Sequence, residues 1–219
     1  MSKGPRIYLI HAAPVAIEPI GTSFRENFPA AKVVNLLEDS LMTDLAEEGS
    51  LTPNMIERFV EIGRYCVKAR ADAILFTCSA FGPAVDECKC HVSIPVLKPN
   101  EAMYEQLVAK NCKAGLLATF QPSLPSMLTE IATYAKERGT NVEVKPHLVE
   151  GALDALLANR ADEHNRLIAE AAGKQADCDV LAFAQFSMAP ARAQAAGRTK
   201  LPILTTPDSA VSKLKALLA

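Results

Sequence analysis

Residues 72–84 read "DAILFTCSAFGPA", and residues 179–191 repeat the same pattern as "DVLAFAQFSMAPA". In both stretches an aspartate precedes a short β-rich apolar run, and a turn that contains proline follows. When the two are aligned, Gln185 falls opposite Cys78, which lies 107 residues earlier (185 − 78). This pairing predicts a chain of two similar halves, of which one ends this strand in a thiol and the other in an amide.

The same spacing recurs in other parts of the chain. "IPVL" at 94–97 matches "LPIL" at 201–204 with a shift of 107. "IYLIHAAP" at 7–14 matches "GLLATFQP" at 115–122 with a shift of 108, which places the prolines in register. The second strands, "VVNLL" and "VEVK", follow at a similar distance. Each match is weak alone because apolar strands resemble one another, but four matches in the same order favour a repeat.

Short β-rich runs alternate with longer segments of helical period, which is typical of βαβ units and a parallel sheet. Thr52 is the predicted N-cap and Pro53 the first residue of a long helix, and Thr206 and Pro207 begin the last helix. We therefore predict an α/β fold with two pseudo-equivalent parallel-sheet halves that face each other across a ligand cleft. The predicted strands are 6–10, 32–37, 73–77, 94–97, 114–119, 142–145, 180–184 and 201–205.

The repeat also predicts the domain organisation. The first α/β half spans residues 1–100 and the second spans residues 101–206. The C-terminal helix, residues 207–219, follows the second half in sequence, but the pattern leaves open whether it packs on the first half.

The composition argues against several classes of function. A formal net charge of −2 and no basic cluster argue against a nucleic-acid partner. No apolar run approaches the roughly 18 residues that a membrane span requires. The start, "MSKGPRIYLIHAAP", lacks the pattern of a signal peptide, and we expect a cytoplasmic location. The six cysteines are irregularly spaced, which favours free thiols over a disulfide framework.

Parallel α/β sheets bind ligands beyond the carboxyl ends of their strands. No glycine-rich phosphate fingerprint follows any of these strands, which argues against a nucleotide site. "CKCH" at 88–91 lacks a second paired cluster at zinc spacing, so we expect no metal site there. Asp72 and Asp179 begin their strands at the opposite end and are expected to serve loops. The candidate site residues at the carboxyl ends are His11, Cys78, Ser79, Thr119, Ser123, Gln185, Phe186 and Ser187.

The paired strand–Cys–turn elements, the two similar halves and three short motifs carry a resemblance to a known family. The motifs are "FTCSA" at 76–80, "GLLAT" at 115–119 and the helix start "VLKPNEAM" at 96–103. Together they resemble the cofactor-independent aspartate/glutamate/hydantoin racemase superfamily, which includes maleate isomerase and arylmalonate decarboxylase. The resemblance covers essentially the whole chain. It implies a small carboxylate or amino-acid substrate and no metal or pyridoxal cofactor, and it is compatible with a homodimer.

The resemblance also implies roles for single residues. Racemases of this family look built around two cysteines, one per half, on opposite faces of the substrate α-carbon. Cys78 matches the first cysteine, but the second position falls on Gln185, which can neither remove nor return a proton usefully. Ser79-Ala80 and Phe186-Ser187 replace the Asn-Thr and Thr-His that follow the cysteines of the glutamate enzymes. These departures argue against glutamate as the substrate.

Three reactions are compatible with a single thiol. Cys78 could protonate a carbanion formed by decarboxylation, add to an alkene or carbonyl as a nucleophile, or act as one base of a racemase. Because Cys78 lies at a strand end just before a helix, we expect its environment to favour the thiolate. His11 is the candidate for a second base, and Gln185 for orienting substrate or donating to an oxyanion.

The remaining candidates would bind the substrate. Ser79, Thr119, Ser123 and Ser187 are possible hydroxyl donors, and Phe186 is a possible wall of the cleft. The predicted function is a cofactor-independent racemase or isomerase that acts at the α-carbon of a small carboxylic acid or amino acid. A decarboxylase-type lyase with Cys78 as proton donor is the first alternative. A non-catalytic small-molecule-binding protein is the second.

Overall fold

A computed structural model describes residues 4–218, and each predicted strand forms within them. Most boundaries agree with the sequence pattern to within one residue, whereas the edge strands near residues 96, 146 and 204 differ by two or three. The strands are β1 (Arg6–His11), β2 (Lys32–Leu37), β3 (Ala73–Phe76), β4 (Val96–Leu97), β5 (Lys113–Ala118), β6 (Glu143–Leu148), β7 (Val180–Phe183) and β8 (Ile203–Thr205).

Helices connect the strands, and a short 3₁₀ turn follows β1, β3, β5 and β7. Thr52 caps the helix that begins at Pro53, since its hydroxyl accepts a hydrogen bond from the Met55 N–H at 3.3 Å. The helices are α1 (Ile17–Asn27), α2 (Ser40–Glu48), α3 (Pro53–Lys68), α4 (Gly82–His91), α5 (Glu101–Lys110), α6 (Leu124–Glu137), α7 (Ala152–Leu157), α8 (Ala161–Gly173), α9 (Arg192–Ala196) and α10 (Thr206–Leu217).

The strands form two four-stranded parallel sheets with the same topology, which confirms the predicted α/β fold. The first has the order β2-β1-β3-β4 and the second the order β6-β5-β7-β8. The central strands are buried on both faces, as in other parallel sheets that helices cover on two sides. Among residues 4–218 no helix is long and apolar enough to span a membrane.

The strand registers correct one part of the repeat. Ile7 pairs with Ala73 in the first sheet, and Ala114 pairs with Val180 in the second, so β1 and β5 are also related by a shift of 107 (114 − 7). The shift of 108 that the sequence suggested for these strands is therefore wrong by one residue. The prolines misled the alignment because Pro14 is the first residue of its 3₁₀ turn and the proline at 122 is the second of its turn.

The aspartates that precede β3 and β7 have a structural role that the sequence did not suggest. The Asp72 carboxylate accepts a hydrogen bond from the Arg6 N–H at 2.7 Å, and the Asp179 carboxylate accepts one from the Lys113 N–H at 2.8 Å. Each aspartate thus anchors the first residue of the neighbouring strand rather than only a loop. The two anchors are again 107 residues apart (179 − 72).

The chain divides into two compact units. The first contains the residues up to Glu101 together with the segment from Ala210 onward, and the second spans Ala102–Ser209. In the first unit, α10 is attached through Lys213, which pairs with Glu101 at 3.1 Å, and through Lys215, which donates to the Asn27 carbonyl at 3.0 Å. In the second unit, α5 and α6 cover one face of the sheet, and α8 and α9 cover the other.

Candidate functional site

Cys78 lies two residues beyond β3, at the carboxyl end of the first sheet. It has an extended backbone and directly precedes the 3₁₀ turn Ser79–Phe81, which continues into α4. Its thiol is partly buried and receives a backbone hydrogen bond from Ala80. The Sγ atom also lies 3.7 Å from the Sδ atom of Met42, which belongs to α2. The thiol is therefore held at a strand end, as predicted.

The protonation state of Cys78 differs from the prediction. Burial raises the pKa of the thiol, and the hydrogen bond from the Ala80 backbone lowers it by less. Cys78 is therefore a protonated thiol at neutral pH, and the expected thiolate is wrong. The position before a helix was the reason to expect a thiolate, whereas loss of hydration acts in the opposite direction on the pKa.

The other cysteines show what burial does to an ordinary thiol. Burial raises the pKa of Cys66 to about 12 and that of Cys88 to about 11, and both side chains lie in the core of the first unit. Cys90, two residues after Cys88, is exposed. Of the two cysteines in "CKCH", one is therefore buried in the core and the other is exposed. The described residues contain no group of three or more His, Cys, Asp and Glu that could hold a metal ion.

His11 is the last residue of β1, and its side chain is 0% exposed. Its Nδ1 lies 2.9 Å from the Thr77 hydroxyl and its Nε2 lies 3.0 Å from the Asn35 side-chain oxygen. Burial lowers the His11 pKa, and the contact with Asn35 opposes this in part, so the imidazole is neutral at pH 7. His11 thus connects β2 to the residue before Cys78, with both ring nitrogens occupied.

At the matching strand end of the second sheet, three candidate residues form one hydrogen-bonded group. The Gln185 Oε1 accepts from the Thr119 N–H at 3.0 Å and lies 3.4 Å from the Thr119 hydroxyl. The Gln185 Nε2 donates to the Ser123 hydroxyl at 3.2 Å, which in turn donates to the Phe120 carbonyl at 2.7 Å. The amide is thereby fixed at both ends, and Phe120 beside it is 47% exposed. The sequence predicted these residues singly but not their contacts.

The other candidate residues are distributed between exposed and buried positions. Ser79 is exposed at the start of the turn after Cys78. Phe186 is buried, with 5% of its surface exposed. Ser187 is partly buried, and its carbonyl lies 3.2 Å from the Nε2 of His164, a buried histidine whose Nδ1 lies 2.8 Å from the Ala152 carbonyl.

Several residues near these strand ends were not among the site residues predicted from the sequence. Thr77 could have been found, since it directly precedes Cys78 in "FTCSA". Asn35 is a single polar residue in an apolar edge strand, which is a weak signal. Met42 and His164 come from helices that are distant in sequence, and only the tertiary fold brings them to Cys78 and Ser187.

Comparisons with known proteins extend these observations. The family model described as Asp/Glu/Hydantoin racemase matches residues 47–174. No curated protein sequence matches the chain. Among solved structures, the aspartate racemase of Picrophilus torridus matches with a TM-score of 0.72 at 13% identity, over 98% of this chain and 94% of that chain.

Two further solved structures match over nearly the whole chain. A glutamate racemase isoform of Bacillus anthracis has a TM-score of 0.70 at 14% identity, over 99% of this chain and 82% of that chain. An unliganded arylmalonate decarboxylase has a TM-score of 0.65 at 13% identity, over 98% of this chain and 93% of that chain. At such low identities these likenesses establish the fold.

Proposed function

This chain belongs to the Asp/Glu/hydantoin racemase family, and on that premise we propose that it is a racemase- or isomerase-type enzyme whose acid–base group is Cys78. The substrate would be a small carboxylic acid or amino acid, and the reaction would take place at its α-carbon. The observation that carries the proposal is the position of the thiol, which lies partly buried at the carboxyl end of a central parallel strand.

The reaction requires a proton to leave or reach the α-carbon. In racemisation, Cys78 first loses its proton to solvent, and the resulting thiolate removes the α-proton while the electron pair delocalises into the carboxylate as an enediolate. A second group then returns a proton to the other face. The proposed roles of Gln185, Thr119, Ser123, Ser187 and Ser79 are to bind the carboxylate and to stabilise the charge that develops on it.

A decarboxylase-type lyase is a second candidate, and two observations favour it. The Cys78 thiol is protonated at neutral pH, which suits a proton donor better than a base. Position 185 holds a glutamine, so the second sheet offers no second thiol there, and both ends of the amide are hydrogen-bonded. In this reaction a C–C bond breaks, CO₂ leaves with the electron pair retained on the α-carbon, and Cys78 protonates that carbon before water reprotonates the thiolate.

His11 is the proposed second base if the enzyme racemises its substrate. Its imidazole is neutral at pH 7, as a base must be, because burial lowers its pKa. Both ring nitrogens are engaged, however, with Thr77 and Asn35. A proton on the second face would therefore be exchanged more slowly than one at Cys78.

The experiment that tests the proposal is proton NMR in deuterium oxide with a panel of 2-substituted mono- and dicarboxylic acids. Loss of an α-proton signal with wild type but not with Cys78→Ala supports proton transfer at the α-carbon by Cys78, and chiral analysis of the same samples then separates a racemase from exchange at one face. A decarboxylated product that depends on Cys78 supports the lyase. If every acid stays unchanged while one of them raises the melting temperature, the chain is a binding protein and the proposal fails.

The proposed location of the enzyme is the cytoplasm, and fractionation of cells that express the protein would test it. A homodimer is the proposed assembly by analogy with the family, and sedimentation of the purified protein would test it.

A further inference from the structure

Helix α2 covers the Cys78 thiol. Met42, in the first turn of α2, places its Sδ atom 3.7 Å from the Cys78 Sγ atom. The Met42 side chain is 40% exposed, so one part of it contacts the thiol and another part faces outward. Any group bound next to the thiol must therefore share this space with the Met42 thioether.

Apolar contacts fix α2 on one side. Leu41 is 1% exposed and belongs to the core of the first unit, and Leu45, one turn later, packs against the same core. Gly49 ends the helix in the left-handed conformation, with φ of 71°, and its N–H donates to the Leu45 carbonyl at 3.0 Å. These contacts fix the buried side of the helix, and polar groups hold the same first turn from another side.

Arg58 of α3 provides the polar attachment. Its guanidinium pairs with Glu38, which precedes α2, and with Asp44, which lies one turn inside it. It also donates to the Ser40 hydroxyl at 2.7 Å, and that hydroxyl donates to Glu38 at 2.8 Å. Glu38 is itself attached to β1, because its N–H donates to the His11 carbonyl at 2.9 Å. The Arg58 side chain thus binds one carboxylate before Met42 in the sequence and one after it.

The arrangement is better suited to orienting α2 than to stabilising the whole fold. The Arg58, Glu38 and Asp44 side chains are 27%, 29% and 37% exposed, and ion pairs that water reaches contribute little to global stability. The planar fork of arginine, in contrast, binds two carboxylates in a fixed geometry that lysine cannot reproduce. Asp44 stays charged near neutral pH, since the hydrogen bond from Arg58 lowers its pKa.

We propose that Met42 determines which substituent on the α-carbon fits beside Cys78, and that Arg58 is the positioning residue that holds α2, and with it Met42, against the thiol. This inference rests on the proposed role of Cys78. A thioether side chain is apolar, flexible and polarisable, and it offers no donor to a second carboxylate. The substituent class that it accepts is therefore alkyl or aryl, which makes the substrate a 2-alkyl or 2-aryl carboxylic acid.

The first test measures access to the thiol and requires no substrate. Iodoacetamide and the bulkier N-benzyliodoacetamide are reacted with the protein, and alkylation of Cys78 is followed by mass spectrometry, with exposed Cys90 as internal reference. Met42→Ala is expected to raise the ratio of the bulky to the small rate about tenfold, in the range that small changes in an apolar pocket produce. Arg58→Met is expected to shift the ratio in the same direction.

Matched controls and a double variant separate positioning from general damage. Arg64→Met removes an exposed arginine of the same helix, paired with Glu57 at 3.2 Å, and Leu157→Ala removes an exposed apolar side chain of α7; neither should change the ratio. Asp44→Asn weakens the same attachment with a milder change, in case Arg58→Met does not fold. If Arg58 acts through Met42, the double variant Met42→Ala/Arg58→Met matches Met42→Ala alone, and additive effects would overturn the proposal.

The second test uses turnover of those acids whose exchange depends on Cys78. Met42→Ala is expected to change kcat/KM for a bulky relative to a small α-substituent about tenfold. Arg58→Lys should behave like Arg58→Met, because it keeps the charge but loses the fork. An unchanged ratio with Cys78-dependent exchange would refute this inference alone. Exchange that survives Cys78→Ala would refute the proposed function, while the alkylation ratio would still decide the role of Met42.

Discussion

The strand ends at Cys78 and Gln185 occupy matching positions in two sheets of identical topology, yet their surroundings differ in a coordinated way. Gln185 is bound by Thr119 and Ser123. A shift of 107 places Ala12 and Ala16 at the equivalents of these hydroxyl residues (119 − 107 and 123 − 107), and both alanines are buried. The first sheet thus leaves its polar group without neighbouring hydroxyls at these positions, whereas the second fixes its polar group at both ends.

We call the backbone of each four-stranded sheet its frame. The difference at Cys78 and Gln185 shows that the frame can stay the same while the side chains at the strand ends change. The frame is the same in both sheets down to single hydrogen bonds. The Thr77 N–H donates to the Ile10 carbonyl at 3.0 Å, and the Ala184 N–H donates to the Leu117 carbonyl at 2.9 Å. The strand end of the first sheet carries the Cys78 thiol, and the matching strand end of the second sheet carries the hydrogen-bonded Gln185 amide.

The largest expected difference between the two strand ends is the loss of activity when the Cys78 thiol is replaced. Cys78→Ser is expected to lower kcat/KM about a thousandfold, because a hydroxyl replaces the proposed acid–base group without changing the fold. Steady-state kinetics on an active acid from the panel measures it. Cys90→Ser, an exposed cysteine of α4, is the control and should retain wild-type activity. Equal activity of the two variants would assign the chemistry to another group.

The second-largest expected effect is a fall in kcat when the Gln185 amide is replaced. Gln185→Leu is expected to lower kcat about a hundredfold, as the loss of one charge-stabilising donor does in other enzymes. It also leaves the Thr119 N–H without its acceptor. Gln194→Leu, an exposed glutamine of α9, serves as the control in the same assay. If Gln185→Leu changes only the melting temperature, the amide stabilises the fold and has no part in the reaction.

A smaller effect tests the shared frame. Asp72→Ala and Asp179→Ala are each expected to lower the free energy of unfolding by about 1 kcal/mol, because each removes a carboxylate that accepts a backbone N–H at a strand start. Urea denaturation measures both, with Glu26→Ala, an exposed acidic residue of α1, as control. Activity should not change. Losses that differ by more than the control's own effect would show that the two frames are not equivalent.

The smallest effect is a pH dependence of stability. The His11 pKa is lowered in the folded state, so between that value and the unfolded value of about 6.5 the unfolded chain binds more protons. The free energy of unfolding should therefore fall as the pH drops below about 6.5. Denaturation midpoints between pH 5 and 8 check this. His11→Asn should flatten the curve in that window, and a variant curve parallel to wild type would contradict the assignment.

The frame could be predicted from the sequence, because buried parallel strands leave continuous apolar runs between helical segments. The alignment of β1 with β5 failed by one residue, since prolines are tolerated at either of the first two positions of a turn.

The site was predictable only in part. Cys78, Thr119 and Gln185 stand at strand ends, which sequence patterns locate. The contact of Met42 with Cys78 and the raised thiol pKa arise from tertiary packing and loss of hydration, which local sequence does not encode.

The most direct measurement follows one enantiomer of an active acid in deuterium oxide and compares the rate of α-deuteration with the rate of racemisation. A single thiol serves one face, so the account predicts that deuteration with retention is at least about ten times faster than racemisation. This factor lies well within the roughly hundredfold or greater advantage that a positioned acid–base group provides. Both rates should fall about a thousandfold in Cys78→Ser. Equal rates of deuteration and racemisation in the wild type would contradict the account, because they require a second group as competent as Cys78.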